Sequence, residues 1–476
     1  MESLPGNWVW ATLPDVAAIN PTLDKSVFAD ELKVSFVPMP AVEAETGKID
    51  VSQTKKFGEV KKGYTPFFKD DVLFAKITPC MENGKMALVP NLYNNLGFGS
   101  TEFHVLRAYL SIEPKYLYYY ASSKMFRYDA EHNMTGAVGQ KRVPTTYIKK
   151  SLIPLPPLNE QKRIVAKIEE LFSELDKGVE NLKTAREQLK IYRQAVLKHA
   201  FEGKLTADWR EENKDKLETA EALLEQIKSN HKNNSKFNTR EKADLPEIPS
   251  LWIYTRLANI GDLGRGKSKH RPRNDKKLFG GQYPFLQTGE IKAANRIVKE
   301  YSKTYSEFGL QQSKLWSQGT LCITIAANIA ETAFLGFDAC FPDSVVGFTA
   351  QKRIVLSEYV ELFIQSVRAR IEAYAPATAQ KNINLTTLEN LVIPICSLKE
   401  QKQLVSMLDE CFSKLDQTEK DIETQLKKAE ALRQSILKKA FSGKLVAQDP
   451  NDEPASVLLN RIKAEKQKGN KKGKAA

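Results

Sequence analysis

Residues 153–205 of this chain recur at 393–445 without a gap, at a constant offset of 240. Of the 53 positions, 22 are identical, and the identities cluster. Glu160-Gln161-Lys162 matches Glu400-Gln401-Lys402, Phe172-Ser173 matches Phe412-Ser413, and Gly203-Lys204-Leu205 matches Gly443-Lys444-Leu445. Solenoid repeats run about 20 to 50 residues, so this period marks a duplicated domain with its connector. Such a chain can imitate a symmetric dimer, and its unlike halves suit a target with two different half-sites.

The chain reads as block, long helix, linker, block, long helix, tail. The blocks open near Pro5-Gly6-Asn7-Trp8 and Pro249-Ser250-Leu251-Trp252. These tryptophans are 244 apart while the helices are 240 apart, and between their ends the blocks hardly align. Short apolar runs such as Asp71–Ala75 and Leu321–Ile325 predict strands. Glu82–Lys85, Gly97-Phe98-Gly99 and Phe279-Gly280-Gly281 supply turns. Residues 116–126 and 359–374 have helical periodicity. The expected fold class is therefore α+β.

The connector carries a heptad seam. Ile164, Ile168, Leu171, Leu175, Leu182, Leu189, Tyr192 and Val196 fall on a 4-3 ladder broken at Gly178. Leu404, Leu408, Leu415, Ile422, Leu432 and Ile436 repeat it 240 residues on. A narrow stripe of period 3.5 marks a coiled coil, and about 40 residues make a rod of roughly 60 Å. A whole block separates the two helices, so an antiparallel pair would place one block at each end and give the repeat a pseudo-two-fold axis.

Apolar content of 42% with 22 Phe supports packed cores. No apolar run approaches the about 18 residues of a membrane span, and the first residues lack a signal-peptide pattern. Five scattered cysteines with no C-x-x-C pair suit a reduced, cytoplasmic protein. The net charge of +13 suggests an acidic partner, but residues 461–476 supply +6 of it.

Gly261–Ser268 formally fits G-x-x-x-x-G-K-[ST]. A phosphate-binding loop needs a helix directly after it, and Pro272 among charged residues opposes one. The run Lys267, Lys269, His270, Arg271 and Arg273 reads better as a nucleic-acid contact, with a solvated basic loop as the alternative. Gly139-Gln140-Lys141-Arg142-Val143 recurs as Ala379-Gln380-Lys381-Asn382-Ile383. Gln, Arg and Asn can contact base edges and Lys can contact phosphate; a turn fixing each block to its helix is the equal alternative. No H-E-x-x-H, G-x-S-x-G or metal-ligand spacing is present, so the sequence predicts a reader and assembler with no reaction of its own.

These features together resemble the specificity subunit of a type I restriction–modification enzyme over nearly the whole chain. The carriers are Ile153–Leu158 running into Glu160–Val165, its recurrence at Ile393-Pro394 with Glu400–Lys402, and the helix exits Phe201–Leu205 and Phe441–Leu445. Phe74–Lys85 and Gly97–Phe103 resemble one kind of target-recognition domain; Lys267–Asn274 with Tyr283–Glu290 resembles another. The resemblance implies target-recognition domains at 1–152 and 249–392, coiled-coil helices at 153–205 and 393–445, a polar linker at 206–248 and a short helix with a basic tail at 446–476. It implies that each recognition domain reads one half of a split site in double-stranded DNA, Lys76 and Lys85 included among the contacts. The helices, from Glu160, Gln161, Glu400 and Gln401 onward, would set the gap and dock two adenine-modification subunits, with restriction subunits added. S-adenosylmethionine, ATP and magnesium would belong to those partners and none to this chain. A stand-alone DNA-binding protein and a coiled-coil scaffold are the alternatives.

Overall fold

The computed structural model describes residues 4–137, 139–230, 245–326, 328–373 and 383–472. It forms two compact units, Met1–Lys183 with Glu423–Ala476, and Thr184–Ile422. The boundaries cut both long helices, so each unit holds one block, the first half of one helix and the second half of the other.

In the first unit, strand Val9–Thr12 pairs antiparallel with Leu152–Leu155, Val9 opposite Leu155. One four-stranded sheet runs Ala17–Ile19, Phe103–Ala108, Val72–Ala75, Met86–Leu88. Val72 and Phe74 enter one core cluster while Leu73 and Ala75 enter another. Side chains alternate along a strand, so burial of both faces makes this run wholly apolar. A second sheet runs Thr54–Lys56, Lys33–Val37, Gly97–Gly99, Thr65–Phe67. The helix expected over 116–126 is interrupted: Pro114–Ser122 and Lys124–His132 meet at an extended Ser123, whose hydroxyl caps the second.

In the second unit, Ile253–Arg256 pairs antiparallel with Val392–Ile395. A five-stranded sheet runs Gly261–Arg265, Val345–Ala350, Leu321–Thr324, Thr332–Leu335, Ile297–Val298. A smaller sheet runs Lys303–Tyr305, Phe279–Phe285, Ala339–Cys340, Leu315–Trp316. Helix Ser357–Ala373 matches its expected span within two residues.

The long helices span Leu158–Phe201 and Leu398–Phe441, 44 residues each. Both stop at a glycine in the left-handed region, Gly203 (φ +72°) and Gly443 (φ +70°). Lys204 N–H donates to His199 O and Lys444 N–H to Lys439 O, each at 2.9 Å, which satisfies the last carbonyls. A Cβ on either glycine would also strike a proline, Pro249 or Pro5, within 2.4 Å.

The helices run antiparallel. In the first unit Arg433 pairs with Asp176 and lies 4.3 Å over the Phe172 ring. In the second unit Arg193 pairs with Asp416 and lies 4.4 Å over Phe412. The seam keeps one column of the expected ladder, Leu175, Leu182, Leu189 and Val196 with Leu415, Ile422, Ala429 and Ile436, and moves the other column by one residue. Ile164, Ile168, Leu404 and Leu408 are buried against their own blocks, and Leu171 is half-buried there. Beyond them the half-buried positions are Leu175, Val179, Leu182, Ala185, Arg186, Leu189, Arg193 and Val196. On the second helix Ile422 and Ile436 are buried and Leu415, Leu426, Ala429 and Arg433 half-buried. Tyr192 and Leu432, expected inside, are 54% and 52% exposed. The reason is that one helix face must first serve a block: once the neighbour changes from block to helix, the column through Tyr192 and Leu432 gives way to the one through Arg193 and Arg433.

Each block is clamped to its helix in the same way. Trp8 donates its indole N–H to Glu160 Oε2 at 3.0 Å, and Trp252 does so to Glu400 Oε2 at 2.9 Å. Gln161 accepts from Glu113 N–H and donates to Pro156 O; Gln401 accepts from Leu356 N–H and donates to Cys396 O. Tyr116 and Tyr359 donate to Pro154 O and Pro394 O. Glu160, Gln161, Glu400 and Gln401 are therefore buried anchors, which corrects their expected place on a partner-binding surface.

Candidate nucleic-acid interface

In the first block, three flagged segments meet at one edge. Lys76 N–H donates to Glu102 O (2.9 Å), Val143 N–H to Lys76 O (2.8 Å) and Thr78 N–H to Lys141 O (3.0 Å). These bonds bring together the ends of Phe74–Lys85, Gly97–Phe103 and Gly139–Val143. Gly139 holds φ +80° in the turn that presents Gln140, and Gln140 and Lys141 are exposed. Arg142 Nε and Nη2 grip the Glu102 carboxylate at 2.8–3.2 Å. That grip holds the Glu102 carboxyl below its usual range and raises the Arg142 guanidinium. His104, which sequence reasoning missed, supports the edge from beneath: its Nε2 lies 2.8 Å from Val143 O and its Nδ1 3.1 Å from Asn20 Nδ2. Burial pushes His104 below its ordinary pKa, which favours the neutral ring. Lys85 is not at this edge; its half-buried ammonium donates to Met39 O at 3.2 Å.

In the second block, strand Gly261–Arg265 leads into turns with no helix before the short 3-10 segment Lys276–Leu278. A Cβ on Gly266 would meet Pro342 O at 2.3 Å, so that glycine serves a backbone approach and the phosphate-loop pattern is coincidental. The basic loop divides by partner. His270 Nε2 lies 2.8 Å from Asp275, Arg273 grips Asp343 at 2.9–3.0 Å, and Arg271 donates to Ser268 O. Lys267 and Lys269 are exposed, with backbone groups held by Ser313 and Gln312. Ser268, Arg273 and Asn274 line a cleft of about 1120 Å³ together with Phe285, Gln287 and Thr288. The two segments singled out in this block thus line one cleft. Its lining includes a stacked pair, Phe285 and Tyr305, with centroids 4.1 Å apart. Gln380, Lys381 and Asn382 lie outside the described residues. Ile383 N–H nevertheless donates to Ile325 O at 3.0 Å, as Val143 does to Lys76.

Among the described residues no group of His, Cys, Asp and Glu is arranged to hold a metal, and no helix is long and apolar enough to cross a membrane.

Two unlike edges on one duplicated frame agree with the comparison to protein families. A model described as the type I restriction modification DNA specificity domain matches residues 5–184 and again 249–428. The chain belongs to that family. It is a specificity-domain protein with two copies of the domain, each taking in a block and the start of the helix that anchors it. Among curated relatives, the specificity subunit of the type I restriction enzyme EcoKI from Escherichia coli K12 is 25% identical over 97% of this chain and 96% of its own length. The EcoAI specificity subunit from Escherichia coli is 44% identical, but over 36% of this chain and 29% of its own length. A solved chain from work titled as the structural basis of complex assembly and conformational transition of the type I R-M system superposes with a TM-score of 0.73. It covers 94% of this chain and all of its own at 21% identity, which supports the fold.

Proposed function

We propose that this chain is the sequence-reading, non-catalytic subunit of a type I restriction–modification complex. Each block reads one half of a split site in double-stranded DNA, and the helix pair carries the spacing between halves. The observation that supports this most is the clamp: Trp8–Glu160 and Trp252–Glu400 repeat to a tenth of an ångström, while among the described residues the blocks they hold are built on differently ordered sheets. Selection for one scaffold with two contents is what a reader of two unlike half-sites requires. A well-read base pair contributes about 1–3 kcal/mol of discrimination, so two short half-sites at fixed spacing roughly double what one supplies.

The modification subunits would dock on the helix surfaces that the seam leaves free, where Ile191, Tyr192 and Leu432 are exposed. They would bring the S-adenosylmethionine chemistry, and restriction subunits the ATP- and magnesium-dependent steps. The cytoplasm is the expected compartment.

Single-molecule sequencing of adenine methylation in the host and in a deletion of this gene tests the reading. A split motif with unlike halves, present only with the intact gene, is expected. A motif that persists in the deletion would exclude it.

A further inference from the structure

Arg142 is the best-organised polar side chain at the first block's edge, and its donors can be counted. A guanidinium has five N–H groups. Nε and one N–H of Nη2 go to Glu102, and one N–H of Nη1 goes to Gln140 O at 3.0 Å. One N–H remains on each terminal nitrogen. Two donors at that separation match the O6 and N7 acceptors of guanine in the major groove. The group is accessible, with 43% of the Arg142 side chain exposed against 26% for Glu102. Its charge is balanced by the carboxylate, which weakens it as a phosphate neutraliser and leaves the directional fork. Lys141 beside it has an exposed ammonium for phosphate.

We infer that Arg142 reads a guanine in the half-site of the first block, with Glu102 as the positioning residue that locks the guanidinium plane. The inference rests on the reading of the chain as a DNA specificity subunit. Ordering the side chain before binding removes the entropy cost of choosing one rotamer among many. The bonds from Lys76 to Glu102, from Val143 to Lys76 and from His104 to Val143 fix both partners to the sheet. A loose surface ion pair has no such support.

The full chain would be co-expressed with its modification subunit in a methylation-free host, and the methylated motif read for wild type, Arg142→Lys, Glu102→Gln and Glu102→Asp. Arg142→Lys keeps the charge and loses the fork. It should relax one G·C pair in one half-site, with discrimination there falling about tenfold to a hundredfold, while the other half stays unchanged. Glu102→Gln should relax the same pair, and Glu102→Asp should retain most of the selectivity. An unchanged motif in Arg142→Lys overturns the inference. So does a uniform loss of methylation at an unrelaxed motif, which is the mark of a phosphate or purely structural role. Relaxation at a different pair in Glu102→Gln overturns the positioning role. A wild-type chain with no split motif removes the underlying reading itself. Should a variant fail to fold, the wild-type complex bound to sites with 7-deazaguanine at each guanine in turn decides. Weakening at one guanine of one half supports the fork, and indifference at every guanine of both halves excludes it.

Discussion

Glu400 receives three side-chain donors, and its counterpart Glu160 receives one. Trp252 Nε1, Thr206 Oγ1 and Arg210 Nε reach the Glu400 carboxylate at 2.7–2.9 Å, whereas Glu160 has Trp8 alone and its Oε1 has no hydrogen bond in the described structure. Burial accordingly raises the Glu160 carboxyl above its usual range. Removing a partner from a buried ion pair costs about 3–5 kcal/mol, while orphaning one neutral donor costs about 1–3 kcal/mol. Glu400→Ala should therefore destabilise the chain more than Glu160→Ala. Urea midpoints of the two variants check this, and equal losses would refute the asymmetry.

Glu361 makes stability depend on pH. Burial lifts its carboxyl to about 7, although Arg296 Nε sits 2.8 Å away and pulls it down. In the unfolded chain the same group releases its proton near ~4.3. Between these values the folded state holds the extra proton, so the group's contribution is complete at the acid end and is lost as pH rises through about 7. Glu361→Gln should remove that slope. Its stability relative to wild type should improve between pH ~5 and ~8, by on the order of 2 kcal/mol. A constant difference across that range would contradict it.

Two glycines on the helices should respond in opposite directions. Nothing lies within 4 Å of a Cβ added to Gly178, so Gly178→Ala should stabilise by about 0.5–1 kcal/mol through helix propensity. Gly443→Ala meets both a positive φ and Pro5 Cγ at 2.3 Å, and should cost at least about 1 kcal/mol. Thermal unfolding of both variants gives the signs directly.

The seam phase predicts which apolar helix residues hold the fold. Tyr192→Ser and Leu432→Ser should each stay within about 0.5 kcal/mol of wild type, while Ile422→Ala, 6% exposed, should cost about 2–5 kcal/mol. In a pull-down, the two serine variants should retain less modification subunit. A large stability loss at Tyr192 would restore the phase counted from Ile164.

Much of this was legible in the chain because the repeat compares it with itself. The two long helices and their glycine exits follow from residues that recur at an offset of 240, but the repeat starts about five residues before each helix, because Leu152–Leu155 and Val392–Ile395 are strands that pair with Val9–Thr12 and Ile253–Arg256. The clamp was half legible: the tryptophans and the Glu-Gln-Lys runs were both visible, but nothing local says that residue 8 meets residue 160. One column of the seam was legible and the other was not, because periodicity records that a face is buried, without recording whether a block or a helix covers it. Glu102 escaped for a similar reason. Its role depends on a register between segments 40 residues apart, set by the fold of the sheet rather than by spacing.

Under the proposed function each block reads its own half-site on a shared frame. The most direct measurement exchanges residues 2–147 for an unrelated recognition block and reads the methylated motif by single-molecule sequencing. One half of the motif should change while the other half and the gap stay as they were. A change in both halves would contradict it.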